Sequence, residues 1–212
     1  MPKGFTDDEK DLIREQLLTA AEQHFAAHGL KKTSVAELAA LARISTGAFY
    51  AFYPSKEALF LAVAERLEQR YRAEILAALE RPGPTPRARL TAALRTAFDL
   101  LQASPLLQAL AGSDFAAAFR GVPPAQLQAH LDSDQRFMVE LVQRARAAGL
   151  PIRVPPSDLG RLLYPLVLAA LHADELGQDR IGGGLPLLLE LAAAYCLGEI
   201  KVAPAPRRRK RA

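Results

Sequence analysis

The sequence predicts an all-α protein: an N-terminal three-helix head of the helix-turn-helix kind, joined by a long helix to a helical body. Three observations predict it. Ala and Leu dominate a chain of 212 residues that is 50% hydrophobic and 24% charged, and β-branched or alternating runs are scarce; this is a composition of helix formers. Apolar residues recur every three to four positions over long stretches. Pro and Gly gather where those stretches stop.

In chain order, residues 7–27 form an amphipathic helix on the stripe Ile13, Leu17, Ala21 and Phe25. Gly29 suits the left-handed position that ends it. Ser34 and Glu37 have capping-box spacing and open a short helix with Val35, Leu38, Ala39 and Ala42 on one face. That helix breaks near Arg43-Ile44. Ser45 is the expected N-cap of a second short helix bearing Thr46, Gly47, Ala48, Phe49 and Tyr50. Pro54-Ser55 interrupts the chain, and a long helix begins near Ser55 on the stripe Leu59, Val63, Leu67, Tyr71 and Ile75, reaching about Leu79. The run Arg81-Pro82-Gly83-Pro84-Thr85-Pro86 is a connector. Further helices are expected over residues 87–103, 105–120, 124–148, 157–176 and 185–199. Ser104-Pro105, Pro123-Pro124, residues 149–156 and Gly182-Gly183-Gly184 separate them. The run from Leu162 to Leu171 is too short to span a bilayer, contains Pro165 and reads as a buried helix.

The formal net charge of +4 is misleading as a sign of a basic body. The tail from Lys201 takes six of the 27 basic residues and no acid, which leaves 21 basic against 23 acidic residues in the rest. Charge position says more. Between Lys31 and Lys56 stand Lys31, Lys32, Arg43 and Lys56 against Glu37 alone. The tail, with no apolar residue able to pack, is expected to be disordered. One cysteine, Cys196, allows no intramolecular disulfide, and the acidic N-terminus lacks an apolar signal core; a cytoplasmic protein without a membrane partner is expected.

The head carries the functional signal. A helix-turn-helix needs a supporting helix, a tight turn, and a second helix whose leading turn is small and polar enough to enter the major groove. Residues 35–42 supply the support, and Ile44 and Phe49 anchor the second helix. Ser45, Thr46, Gly47 and Ala48 form the leading turn, and the Tyr50 hydroxyl is placed to reach a phosphate. Lys56, at a helix start, and Thr33 with Ser34, at another, are expected to meet phosphates as well.

Taken together, Thr33 to Ala39, Ile44 to Tyr50 and Pro54 to Leu59 resemble the signature of TetR/AcrR-type transcriptional regulators. The resemblance covers roughly the first sixty residues. It implies a helix-turn-helix DNA-binding domain over residues 1–56, a helical ligand-binding and dimerisation domain over 57–200, and the basic tail over 201–212. It further implies a homodimer, usually a repressor, that leaves a palindromic double-stranded DNA operator when a small-molecule effector enters the body. The helices near 157–176 and 185–199 would pair across the dimer. Two positions depart from the pattern. Arg43 stands where the family usually has a Gly at positive φ, which costs on the order of 1 kcal/mol. Arg43 is also a candidate for phosphate contact. Phe52 replaces a frequent polar aromatic.

Each of these signals also has a plain structural reading. Tyr50 could simply pack the head, and Lys31 and Lys32 could be a solvated pair. His24 with His28, and His130 with Asp134, have metal-ligand spacing on a helix. Ordinary surface or hydrogen-bonding histidines are the default, and neither a metal nor a cofactor is expected. Polar and aromatic residues of the body, namely Phe98, Asp114, Phe115, His130, Phe137, Tyr164 and His172, are candidates for lining an effector pocket of mostly apolar character. No Gly-x-Ser-x-Gly elbow, phosphate loop or Cys/His pairing suggests an enzyme. The alternative to a DNA-binding regulator is a helical adaptor whose head binds protein.

Overall fold

The computed structural model describes residues 5–107, 119–172 and 183–202. Among them the chain is helix and turn, with no strand. Helix α1, Asp7–Lys32, starts at a reciprocal cap: Thr6 Oγ1 accepts from the Glu9 amide, and the Glu9 carboxylate accepts from the Thr6 amide at 2.7 Å. Its predicted stripe is buried, and Gly29 leaves the helical region at φ 74°. Helices α2 (Val35–Leu41) and α3 (Thr46–Phe49) follow, then the long α4 (Lys56–Glu80).

Helix α5, Pro86–Gln102, is capped by Thr85, whose hydroxyl accepts from the Ala88 amide at 3.1 Å. The connector read from the sequence therefore ends at its last threonine, and Pro86 takes the first helical position, where its missing N–H is no loss. Then come α6 (Pro124–Ala147), α7 (Pro156–Leu171) and α8 (Gly184–Cys196). Most of the expected helix over 105–120, residues 173–176 of the next one, and the tail from residue 203 lie outside the described residues.

Two apolar cores share α4. Its first half places Leu59, Phe60, Val63 and Leu67 against α1, α2 and Phe49 in the head core. Its last turn places Ala78 and Leu79 in the body core with α5, α6, α7 and α8. Charged pairs brace the same helix on its flanks. Arg66 meets Glu22 at 2.8 Å, Arg70 meets the same carboxylate, and Arg72 meets Asp134 of α6 at 2.6 Å. Arg89 of α5 donates to the carbonyls of Leu79 and Ala148, both at 3.0 Å, closing the ends of α4 and α6 together. Head and body thus share α4, and the segment beyond α5 adds contacts of its own: Leu106 packs into the head core and Ser55 Oγ donates to Gly121 O at 2.8 Å.

The apolar run from Leu162 to Leu171 is helical as expected, but it is not buried within the chain. Only Ala170 and Leu171 are buried; Tyr164 is 59% exposed. On α8, Leu187, Leu188 and Leu191 are exposed beside the buried Leu189 and Ala192. Leu187, Leu188 and Leu191 thus form an exposed apolar patch on α8, broken by the exposed Glu190. Cys196 is fully buried, and burial pushes its thiol up to about 11, so it behaves as a small hydrophobe. No helix of the described residues is long and apolar enough to cross a membrane.

Candidate nucleic-acid interface

The turn between α2 and α3 is built from the backbone outward. The Arg43 amide donates to Ala40 O and the Ile44 amide to Ala39 O, each at 3.0 Å, which winds the end of α2 into a tight reversal. Closing it requires φ of 56° at Arg43, the one non-glycine residue with positive φ among the described residues. This is the conformation expected where the resemblance puts a glycine. Ser45 Oγ then accepts from the Ala48 amide at 3.1 Å and starts α3. Leu38, Ala39, Ala42 and Phe49 are buried beneath the turn, and Ile44 is half-buried.

This packing decides what faces outward. Arg43, Ser45, Thr46, Gly47 and Tyr50 are exposed, and Ala48 is half-buried. The Tyr50 ring stands edge-on to Phe49 at 5.6 Å and is 55% exposed. A Cβ added at Gly47 would meet nothing closer than Ser45 Oγ at 3.9 Å, and its φ is not positive. The fold therefore has no need of a glycine at Gly47. Its smallness leaves the α3 backbone open to the outside there.

Thr33, Ser34 and Lys56 sit beside this surface but are already engaged. Thr33 is buried, and its hydroxyl donates to Gly29 O at 2.8 Å. The Ser34 hydroxyl donates to Glu37 Oε2 at 2.7 Å and accepts from the Glu37 amide. Those hydrogen bonds hold the Glu37 carboxyl below its ordinary range, so an anion stands next to Ser34. Lys56 Nζ donates to the carbonyls of Leu30 at 2.9 Å and Thr33 at 2.7 Å. An ammonium has three donors, so one remains for a phosphate. Thr33, Ser34, Tyr50 and Lys56 line one open depression of about 410 Å³. Four of the nine predicted DNA-facing residues thus share this depression, and Thr33 and Ser34 also have capping work in the head.

The effector candidates are not gathered in the same way. Phe98 and Phe137 lie packed in the body core. Tyr164 points outward on α7, and His172 ends that helix. His130 lies between α4 and α6, facing Glu65, Glu68 and Asp134. Asp114 and Phe115 lie outside the described residues. None of the described candidates lines the open groove of about 800 Å³ between α1, α4 and the turn after α5, which Glu22, Arg66, Arg70, Tyr71 and Leu106 border. Sequence reasoning noticed His130 with Asp134 but missed the α4 carboxylates facing them, because spacing within one helix says nothing about the helix opposite.

Residues 17–63 match the family described as bacterial regulatory proteins, tetR family. That match contains α2, the turn, α3 and the start of α4. No curated protein sequence matches the chain. Solved structures do. A protein of Mesorhizobium loti described as a TetR-family transcriptional regulator is similar with a TM-score of 0.61 at 20% identity, over 92% of this chain and 98% of that one. Thermus thermophilus FadR, a TetR-family repressor in complex with lauroyl-CoA, is similar with a TM-score of 0.56 at 26% identity, over 91% and 98%. SmeT in complex with triclosan is similar with a TM-score of 0.56 at 25% identity, over 86% and 90%.

Proposed function

We propose that this chain, whose residues 17–63 match the tetR family of bacterial regulatory proteins, is a homodimeric, non-catalytic repressor released from a palindromic operator by a small, mostly apolar effector. The observation that carries the DNA-binding part is the leading turn of α3, where Ser45, Thr46 and Gly47 are exposed and Phe49 is fully buried behind them. Such a turn lets the backbone come close to base edges. Arg43, Tyr50 and the remaining donor of Lys56 would fix its register on the phosphates.

The dimer reading is supported by Tyr164 on α7 and Leu187, Leu188 and Leu191 on α8, all exposed on the single chain. A two-fold axis through these helices would bury them against their own copies. It would also set two heads at successive half-sites. The effector reading is supported by the two ligand-bound relatives, whose ligands, lauroyl-CoA and triclosan, carry large apolar parts. Because α4 is built into both cores, a ligand that prefers one tilt of α4 would change the spacing of the heads.

The test is selection of bound sequences from a random double-stranded DNA library with the purified protein. One palindromic site, bound by two chains, is the expected result. Recovery of no site, with weak binding that disappears on adding salt, would contradict the reading and favour a head that binds protein.

A further inference from the structure

Between α4 and α6 lies a cluster of ionisable groups that DNA binding does not use. Helix α4 contributes Glu65, Glu68 and Arg72; α6 contributes His130 and Asp134. The outer atoms of the cluster are held from behind. Arg72 Nη2 donates to Asp134 Oδ1 at 2.6 Å and to Glu68 Oε2 at 3.4 Å, and Arg72 Nη1 donates to Ser133 Oγ at 2.9 Å. The guanidinium also lies 4.9 Å from the Phe137 ring centroid, which fixes it further.

The atoms left over point at one another. His130 Nε2 lies 3.9 Å from Glu68 Oε1 and 3.7 Å from Asp134 Oδ2, and the donor atoms of these three residues are all within 4.8 Å of one another. On the other side of the ring, His130 Nδ1 faces Glu65 Oε1 at 3.6 Å, is sealed from solvent and makes no hydrogen bond. The His130 side chain as a whole is only 11% exposed. Glu65 is thus the nearest acceptor for Nδ1, just beyond hydrogen-bonding distance.

We propose that Glu68, His130 and Asp134 form a binding site for one divalent cation of the zinc class, bridging α4 and α6. The ligand atoms are Glu68 Oε1, His130 Nε2 and Asp134 Oδ2, with a fourth position left for water or another oxygen ligand. One imidazole with two carboxylates suits such ions. Bonds of 2.0–2.2 Å in tetrahedral geometry place donors about 3.3–3.6 Å apart, so the two His130 separations of 3.9 and 3.7 Å need to shrink by a few tenths of an ångström. That contraction draws His130 toward Glu68 and Asp134. A small turn of the ring then lets Nδ1–H donate to Glu65, the carboxylate–histidine pair that orients metal ligands elsewhere. Arg72 plays the matching part for the two ligating carboxylates by holding their other oxygens. Charge agrees with geometry: the carboxylates of Glu65, Glu68 and Asp134 surround His130, and Arg72 reaches only two of them. A dication would offset that crowding.

The test is calorimetric titration of the metal-free full-length protein with Zn²⁺, in a His24→Ala/His28→Ala background so that the pair on α1 does not compete. One ion per chain is expected. His130→Gln and Asp134→Asn should each weaken binding more than ten-fold, and Glu65→Gln by about 10–100-fold. Thermal melts of each variant without metal check that it folds. The titration of the parent protein needs no substitution in the cluster. No stoichiometric binding there, or binding undiminished in folded His130→Gln and Asp134→Asn, overturns the proposal. The experiment contains no DNA, so its failure leaves the operator reading untouched.

Discussion

The ammonium of Lys56 donates to the backbone carbonyl of Thr33 at 2.7 Å, tying the first residue of α4 to the residue that ends α1. A second bond from the same nitrogen reaches Leu30 O. Leu30 belongs to the last turn of α1 and Thr33 is its C-cap; the only amide reaching Leu30 O is the long 3.4 Å bond from Thr33. A cation is favoured there twice over, by hydrogen bonding and by the negative end of the helix dipole. The lysine that the sequence assigns to DNA is thus also a brace of the head.

Lys56→Ala should therefore cost stability as well as operator affinity. Hydrogen bonds from a charged group contribute about 1.5–3 kcal/mol, less where solvent reaches them, so a loss of about 1–3 kcal/mol is expected. In a protein of this size that lowers Tm by roughly 2–10 °C. Thermal denaturation checks it. An unchanged melt would mean the two bonds contribute nothing.

Arg43 adopts φ 56°, and Arg43→Gly should move stability and binding in opposite directions. Relief of the left-handed strain is worth roughly 1–2 kcal/mol, offset by about 0.5–1 kcal/mol for the freer unfolded chain. A gain of about 0.5–1 kcal/mol in chemical denaturation is expected. If Arg43 also touches a phosphate, the salt dependence of operator binding falls by about one counterion. Higher stability with an unchanged salt slope would confine Arg43 to the turn.

Leu187 and Leu191 lie four residues apart on the exposed side of α8, at 66% and 55% exposure. Leu187→Glu combined with Leu191→Glu should leave the single chain folded, since neither side chain fills its core. It should abolish the dimer, because two copies of each charge would meet across a two-fold axis. Sedimentation velocity separates the outcomes. A dimer that survives the double change would place the interface elsewhere.

The sequence made the head legible nearly to the residue because each of its breaks has local chemistry. Ser34, Ser45 and Ser55 each cap the helix that follows, and Gly29 takes the positive φ its position requires. The stripe from Ile13 to Phe25 follows helical period and is buried throughout. Thr33 was harder to read: a threonine before a helix start looks like a phosphate ligand until Gly29 O is seen to accept its hydroxyl. The body was legible in its helices but not in its packing. Phe98 and Tyr164 look alike as aromatic residues among apolar neighbours, yet one is in the core and the other faces out. Helical period fixes a face, and only the opposing helix decides what that face meets. For the same reason, His130 could be paired with Asp134 one turn away but not with Glu65 and Glu68 across the α4–α6 contact.

The central claim is that the leading turn of α3 enters the major groove, and Gly47→Leu tests it most directly. A Cβ at position 47 meets nothing closer than Ser45 Oγ at 3.9 Å, position 47 is exposed, and a helical glycine is a poor helix former, so the fold should be as stable or slightly more so. On DNA the same side chain would stand between the α3 backbone and the base edges. In fluorescence anisotropy on the selected operator, the account predicts a folded, dimeric variant whose affinity drops at least 100-fold to the nonspecific level. Operator affinity equal to that of the parent protein would contradict it and remove α3 from the groove.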